Sequence, residues 1–155
     1  MLSVARDAAQ REGLPIDFRL ADIGEPLPCE RESADLVICA LTLCHVPSLS
    51  RATEEFYRIV RPGGFVVITD IHPDMVDIGW IPKLVRPGVT HVIPCPGHTR
   101  DDYLDALTAA GFIPHNVIDV PFREVPDGFG YEGVREEFGE YRYCLIVVAQ
   151  KPVFD

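Results

Sequence analysis

Nowhere in the 155 residues do two cysteines stand at C-x-x-C spacing, which excludes a zinc ribbon and a thioredoxin-like redox motif. No G-x-S-x-G nucleophile elbow is present, which sets an α/β-hydrolase aside. No apolar run approaches the ~18 residues that span a bilayer. No basic stretch followed by an apolar one stands at Met1, so neither a secretory signal nor a membrane partner is expected. Positive charge is scarce: 14 Lys and Arg face 24 Asp and Glu, for a net charge of -10. That balance opposes a polyphosphate partner, and no nucleic acid is expected. The five cysteines (Cys29, Cys39, Cys44, Cys95, Cys144) are odd in number and irregularly spaced. Three lie in or beside apolar runs, so they read as reduced thiols of a cytoplasmic protein rather than a disulfide framework.

What is present is a globular composition, 47% apolar and 25% charged, in a chain sized for one domain. Residues 1–12 are alanine-rich and stop at Gly13, a helix with a glycine cap. Ile16, Phe18 and Leu20 alternate with Asp17 and Arg19, which predicts a short strand ending at Asp22. Residues 35–40 are nearly all apolar, the pattern of a parallel strand buried on both faces. Ser48 or Ser50 can cap a helix running to Val60, and Arg61-Pro62-Gly63-Gly64 reads as a turn. Residues 65–69 are a second buried strand, and residues 71–98, with five of the 14 prolines, read as an irregular excursion. Thr99-x-x-Asp102 opens a helix through an acidic capping box, and Gly111 closes it. Residues 117–120 and 143–149 are two late strands joined as a hairpin.

Strands alternating with helices predict a doubly wound α/β sheet. Its ligands sit outside the carboxyl ends of the strands, which directs attention to Asp22, Ala40 to His45 and Asp70 to Pro73.

Three stretches carry a family likeness: Phe18 to Pro28 (FRLADIGEPLP), Ser33 to Val46 (SADLVICALTLCHV) and Glu54 to Gly64 (EEFYRIVRPGG). In order, they resemble the third strand, the fourth strand with its loop, and the helix and turn before the fifth strand of class I S-adenosylmethionine-dependent methyltransferases. The resemblance is close over residues 1–70 and loose over 99–151. It implies a Rossmann-like sheet, S-adenosyl-L-methionine as cofactor, and methyl transfer to an O, N or C atom of a small-molecule substrate. It further implies that Asp22 accepts from the adenine amino group and that the Ile23 N–H serves a ring nitrogen. Ala40, Leu41 and His45 then lie against the cofactor, and His45 and His72 are the catalytic bases where the acceptor must lose a proton. The excursion 71–98 is the expected substrate lid.

The family's glycine-rich loop and ribose-binding acid are missing from the quoted stretches. The resemblance therefore implies a start at the helix after the second strand, with two strands of the sheet absent and the 155 residues inactive alone. The alternative is a non-catalytic methyltransferase-like module that pairs with a complete partner, or with its own copy as a homodimer, through exposed strand edges. Gly128-x-Gly130-x-x-Gly133 matches a dinucleotide fingerprint literally but lacks the following helix, so a hairpin loop is expected there. His91, Cys95 and His98 offer ligand atoms but no convincing fourth donor, and no metal is expected. Cys44 and His45 are not expected to be a nucleophile–base pair, because sequence neighbours on a loop rarely point the same way. Trp80 and Tyr103 are expected to pack in the lid and the helix core.

Overall fold

The computed structural model describes residues 2–80, 82–125 and 138–154. Helix α1 (Leu2–Arg11) is stopped by Gly13, whose φ of 66° lets Leu14 N–H reach back to the Ala9 carbonyl at 2.9 Å.

Residues 16–22 form no strand. They run without regular secondary structure and largely exposed, with Ile16 52% and Leu20 86% exposed and Phe18 half-buried. Alternation supplies an apolar face, but a strand also needs a neighbour for its backbone groups, and none lies beside this segment among the described residues. The loop that follows is held by side chains of helix α2 (Ser50–Ile59). Glu55 accepts from Leu27 N–H at 2.9 Å, and Arg58 donates to the carbonyls of Cys29 and Leu27 at 2.8 and 3.1 Å.

The main sheet has the order β1-β2-β6-β5, built from β1 (Ala34–Ala40), β2 (Val60–Ile71), β5 (Ile113–Pro121) and β6 (Arg142–Gln150). β1 and β2 are parallel; β6 lies between β2 and β5 and is antiparallel to both. β5 and β6 are longer than their predicted cores. Contrary to the sequence pattern, β1 is not buried on both faces. It is an edge strand of this sheet, and α2 covers only one side, leaving Leu36 49% and Ile38 65% exposed. The expected turn at 61–64 is a register shift at the start of β2. A Cβ on Gly64 would stand 2.8 Å from the Asp35 carbonyl oxygen, so only glycine lets the two strands meet there.

Helix α2 starts one residue after Leu49, with no side-chain cap; Ser48 and Ser50 bond each other at 3.0 Å instead. Helix α4 (Arg100–Ala110) has the predicted capping box, Thr99 Oγ1 accepting from Asp102 N–H and Asp102 Oδ2 accepting from Thr99 N–H. Phe56 of α2 and Leu107 of α4 pack onto Cys39, Val66, Ile68, Leu145 and Val147, the core between the helices and one face of the sheet. The excursion is more regular than expected. It holds a short helix α3 (Pro73–Asp77) and a two-stranded hairpin, β3 (Lys83–Arg86) and β4 (Val89–Val92), turning at Gly88. A smaller cluster of Cys44, Ile71, Met75 and Phe122 anchors its root.

Candidate active site

At the carboxyl end of β1 the chain turns sharply. Leu41 adopts a left-handed φ of 49°, a costly conformation for leucine, while its N–H donates to the Thr69 carbonyl at 2.8 Å. Thr42 Oγ1 donates to the Ala40 carbonyl at 2.9 Å, and residues 43–45 close into a single 3-10 turn. The side chain that organises this turn is Asp70, at the end of β2 and fully buried. Its Oδ2 accepts from Cys44 N–H at 2.9 Å and from the Tyr103 hydroxyl at 3.1 Å. Its Oδ1 is buried without a hydrogen-bond partner among the described residues. Burial first, and the adjacent carboxylate second, push the Tyr103 hydroxyl well above its ordinary range and the Cys39 thiol up to about 11.

Segment 94–98 lies across the same turn. His45 Nδ1–H donates to the Pro94 carbonyl at 2.9 Å, with Cys95 Sγ 3.6 Å from the same nitrogen. His98 Nε2–H donates to the Val46 carbonyl at 2.7 Å. His91 is exposed on β4, so the trio His91, Cys95 and His98 does not form a cluster. Cys44, His45 and Cys95 do: their ligand atoms all lie within 4.8 Å of one another. The 3-10 turn aims both Cys44 and His45 at Cys95, against the expectation for loop neighbours. All five cysteines are free.

His72 sits one residue beyond β2 and is buried. Its Nδ1 accepts from Asp74 N–H at 3.1 Å, capping α3, and its Nε2 faces Asp119 Oδ1 at 3.2 Å. Arg142 grips the far side of Asp74 with two bonds of 2.6 and 2.9 Å. Asp22 is exposed, with Oδ1 accepting from Gly24 N–H at 2.8 Å, while Ile23 packs against the core. A groove of about 580 Å³ runs beside this segment, lined by Asp17, Arg19, Ala21 and Leu27. Tyr103 and Trp80 pack internally as expected, Trp80 against the Met75 and Phe122 cluster. The Gly128-x-Gly130-x-x-Gly133 run lies outside the described residues. The sequence marks Asp70 as a strand-end residue without giving it a role, and it groups Cys95 with His91 and His98 rather than with Cys44. The one available signal was a carboxylate inside an apolar strand pattern; Cys95 lies 51 positions from Cys44 and meets it only in the fold.

The family described as methyltransferase domain matches residues 1–68. An arsenite methyltransferase of Halobacterium salinarum is 30% identical over 158 aligned positions, covering 100% of this chain and 39% of that protein. A ubiquinone/menaquinone biosynthesis C-methyltransferase of Bartonella tribocorum is 34% identical over 96, covering 61% of this chain and 36% of that protein. Among solved structures, a SAM-dependent methyltransferase from Methanosarcina mazei superposes with a TM-score of 0.70 at 16% identity, over 98% of this chain and 77% of that one. The geranyl diphosphate C-methyltransferase of Streptomyces coelicolor gives 0.64 at 14%, over 94% and 58%. Residues 1–68 match the methyltransferase domain family, and the whole chain is similar to methyltransferases in sequence and to SAM-dependent methyltransferases in fold. It spans about two-fifths of the length of these curated relatives. Its four-stranded α/β sheet is the Rossmann-like sheet of that family, and S-adenosylmethionine is the family's cofactor. No helix among the described residues is long and apolar enough to cross a membrane.

The donor set of this methyltransferase chain fits the adenine end of the cofactor. Asp22 presents an exposed carboxylate, and no backbone bond engages the Ile23 N–H among the described residues. A backbone cradle for the methionine carboxylate is not among the described residues.

Proposed function

We propose that these residues carry the acceptor face and the adenine end of a small-molecule methyltransferase site. The observation that supports this best is Leu41: a 59% exposed leucine held at positive φ where β1 ends, the place where α/β sheets receive ligands. Asp22 and Ile23 would hold adenine, and Ala40 and Leu41 would bring backbone close to the rest of the cofactor. Bound S-adenosylmethionine supplies a methyl group on a sulfonium centre for in-line transfer to an O, N or C nucleophile. The protein's part is mainly positioning, with reacting atoms held ~3–3.5 Å apart. His45 is the better base: with Nδ1–H committed to Pro94, its Nε2 is the acceptor nitrogen. His72, with both nitrogens engaged, positions α3 and the root of the lid. The β3–β4 hairpin, with Val85 and Val92 exposed, suits a cover over an apolar acceptor.

Ligand-observed NMR of the adenine protons with S-adenosylmethionine tests the reading. We expect saturable binding weaker than ~10 μM, about -7 kcal/mol, because the proposed contacts engage chiefly the adenine end. Asp22→Ala is expected to weaken it by a further ~1–3 kcal/mol. Affinity unchanged in Asp22→Ala would place adenine elsewhere, and no binding at millimolar cofactor would favour a second reading. That reading, a pairing module, has its own support in the exposed Leu36 and Ile38 along the β1 edge, which could seat a second copy of this chain.

A further inference from the structure

We infer that Cys44, His45 and Cys95 form a binding site for a soft divalent cation of the zinc type. The site joins the turn after β1 to the segment that follows the hairpin, and it shares His45 with the methyl-transfer reading: an ion on Nδ1 leaves Nε2 protonated, so the metal-bound form lacks that base.

The argument starts from donor chemistry. Two cysteine sulfurs and one imidazole nitrogen are the ligand types that select zinc-like ions, and here all three atoms lie within 4.8 Å of one another. One of the three spacings matches that of ligands sharing an ion. A tetrahedral site with Zn–S of ~2.3 Å and Zn–N of ~2.05 Å sets sulfur and nitrogen ~3.6 Å apart. Cys95 Sγ and His45 Nδ1 are 3.6 Å apart. Three protein ligands leave the fourth position open.

A second observation points the same way. The Asp70 carboxylate is fully buried directly behind Cys44, with Oδ1 lacking a hydrogen-bond partner and with no ion-pair partner among the described residues. Buried carboxylates are costly without compensation. A cation bound by the two sulfurs replaces the two thiol protons, which leave to solvent, so the ligated cluster keeps the net charge of the two thiols. At His45 the ion takes Nδ1 in place of the Pro94 carbonyl, and the ring proton moves to Nε2.

The test is a titration of the reduced, full chain with Cd2+ as a spectroscopic zinc substitute, followed by thiolate-to-metal charge-transfer absorbance in the near ultraviolet. Zn2+ competition and thermal unfolding provide the second readouts. One equivalent is expected to bind, Zn2+ to displace it, and either ion to raise the unfolding temperature. Cys95→Ser and His45→Ala, at half-buried positions, are each expected to weaken binding by more than ~10-fold, the lower bound when even an outer partner of a metal site is lost. Cys29→Ser, exposed and distant from the cluster in sequence, is expected to change nothing. Absence of the charge-transfer band, or a band unchanged in Cys95→Ser, overturns the proposal. So does a site that takes arsenite, which needs only paired thiols, and refuses Cd2+ and Zn2+.

Discussion

The Tyr103 hydroxyl, carried by α4, donates a hydrogen bond of 3.1 Å to Asp70 Oδ2 at the end of β2, and both side chains are at most 1% exposed. The bond ties the helix layer to the turn after β1, because the same carboxylate oxygen also holds Cys44 N–H. Tyr103→Phe keeps the ring in the core and removes only the donor. It is expected to cost about 1.5–3 kcal/mol, the range for a hydrogen bond to a charged group. Urea unfolding checks this: the midpoint should fall with the slope unchanged. An unaltered midpoint would mean the oxygen finds another donor.

The same burial makes stability fall in alkali. Cys39 is raised from 9.0 to about 11, and Tyr103, Cys44, Cys95 and Cys144 are also raised, each by burial foremost. A group whose folded pKa lies above its unfolded one contributes its full stability below the unfolded value and loses it as pH rises through the folded one. For Cys39 that window runs from 9.0 to about 11. Urea midpoints should therefore hold up to about pH 9 and decline above it. Cys39→Ala should flatten part of the decline.

Lys151 follows β6 directly and is 5% exposed, an unusual depth for lysine. Its ammonium donates to Glu32 at 3.1 Å and to the carbonyls of Tyr57 and Val60 at 3.0 Å each, so all three protons are used. It thereby closes the carboxyl end of α2 and sits 4.5 Å from the centre of the Tyr57 ring. Lys151→Met fills the same volume but leaves those carbonyls unserved. A loss of about 3 kcal/mol is expected in chemical denaturation.

The β3–β4 hairpin is the segment expected to move. A two-stranded hairpin is marginal alone, and every residue of both strands is exposed. Limited proteolysis should cut within 83–92 before anywhere in the main sheet. Cofactor and an apolar acceptor together should slow that cut. Equal cleavage rates with and without ligands would remove the lid role.

Local pattern was enough for much of this protein. The capping box at Thr99, the glycine stops at Gly13 and Gly111, the strands around 35–40, 65–69, 117–120 and 143–149, and the family itself were legible because each is written in neighbouring residues. Helix caps and apolar periodicity act over a turn or two, so a linear reading sees them. Residues 16–22 show the limit of that reading. Their alternation is that of a strand, yet a strand is completed by a neighbour's backbone, which no local pattern supplies. Leu36 and Ile38 are apolar in the manner of a buried strand, and their exposure follows from β1 standing at the sheet edge. The grouping of Cys44, His45 and Cys95 over Asp70 belongs wholly to the tertiary level. It needs the β1 turn, the end of β2 and the chain after the hairpin to arrive at one point, and long-range packing alone brings them there.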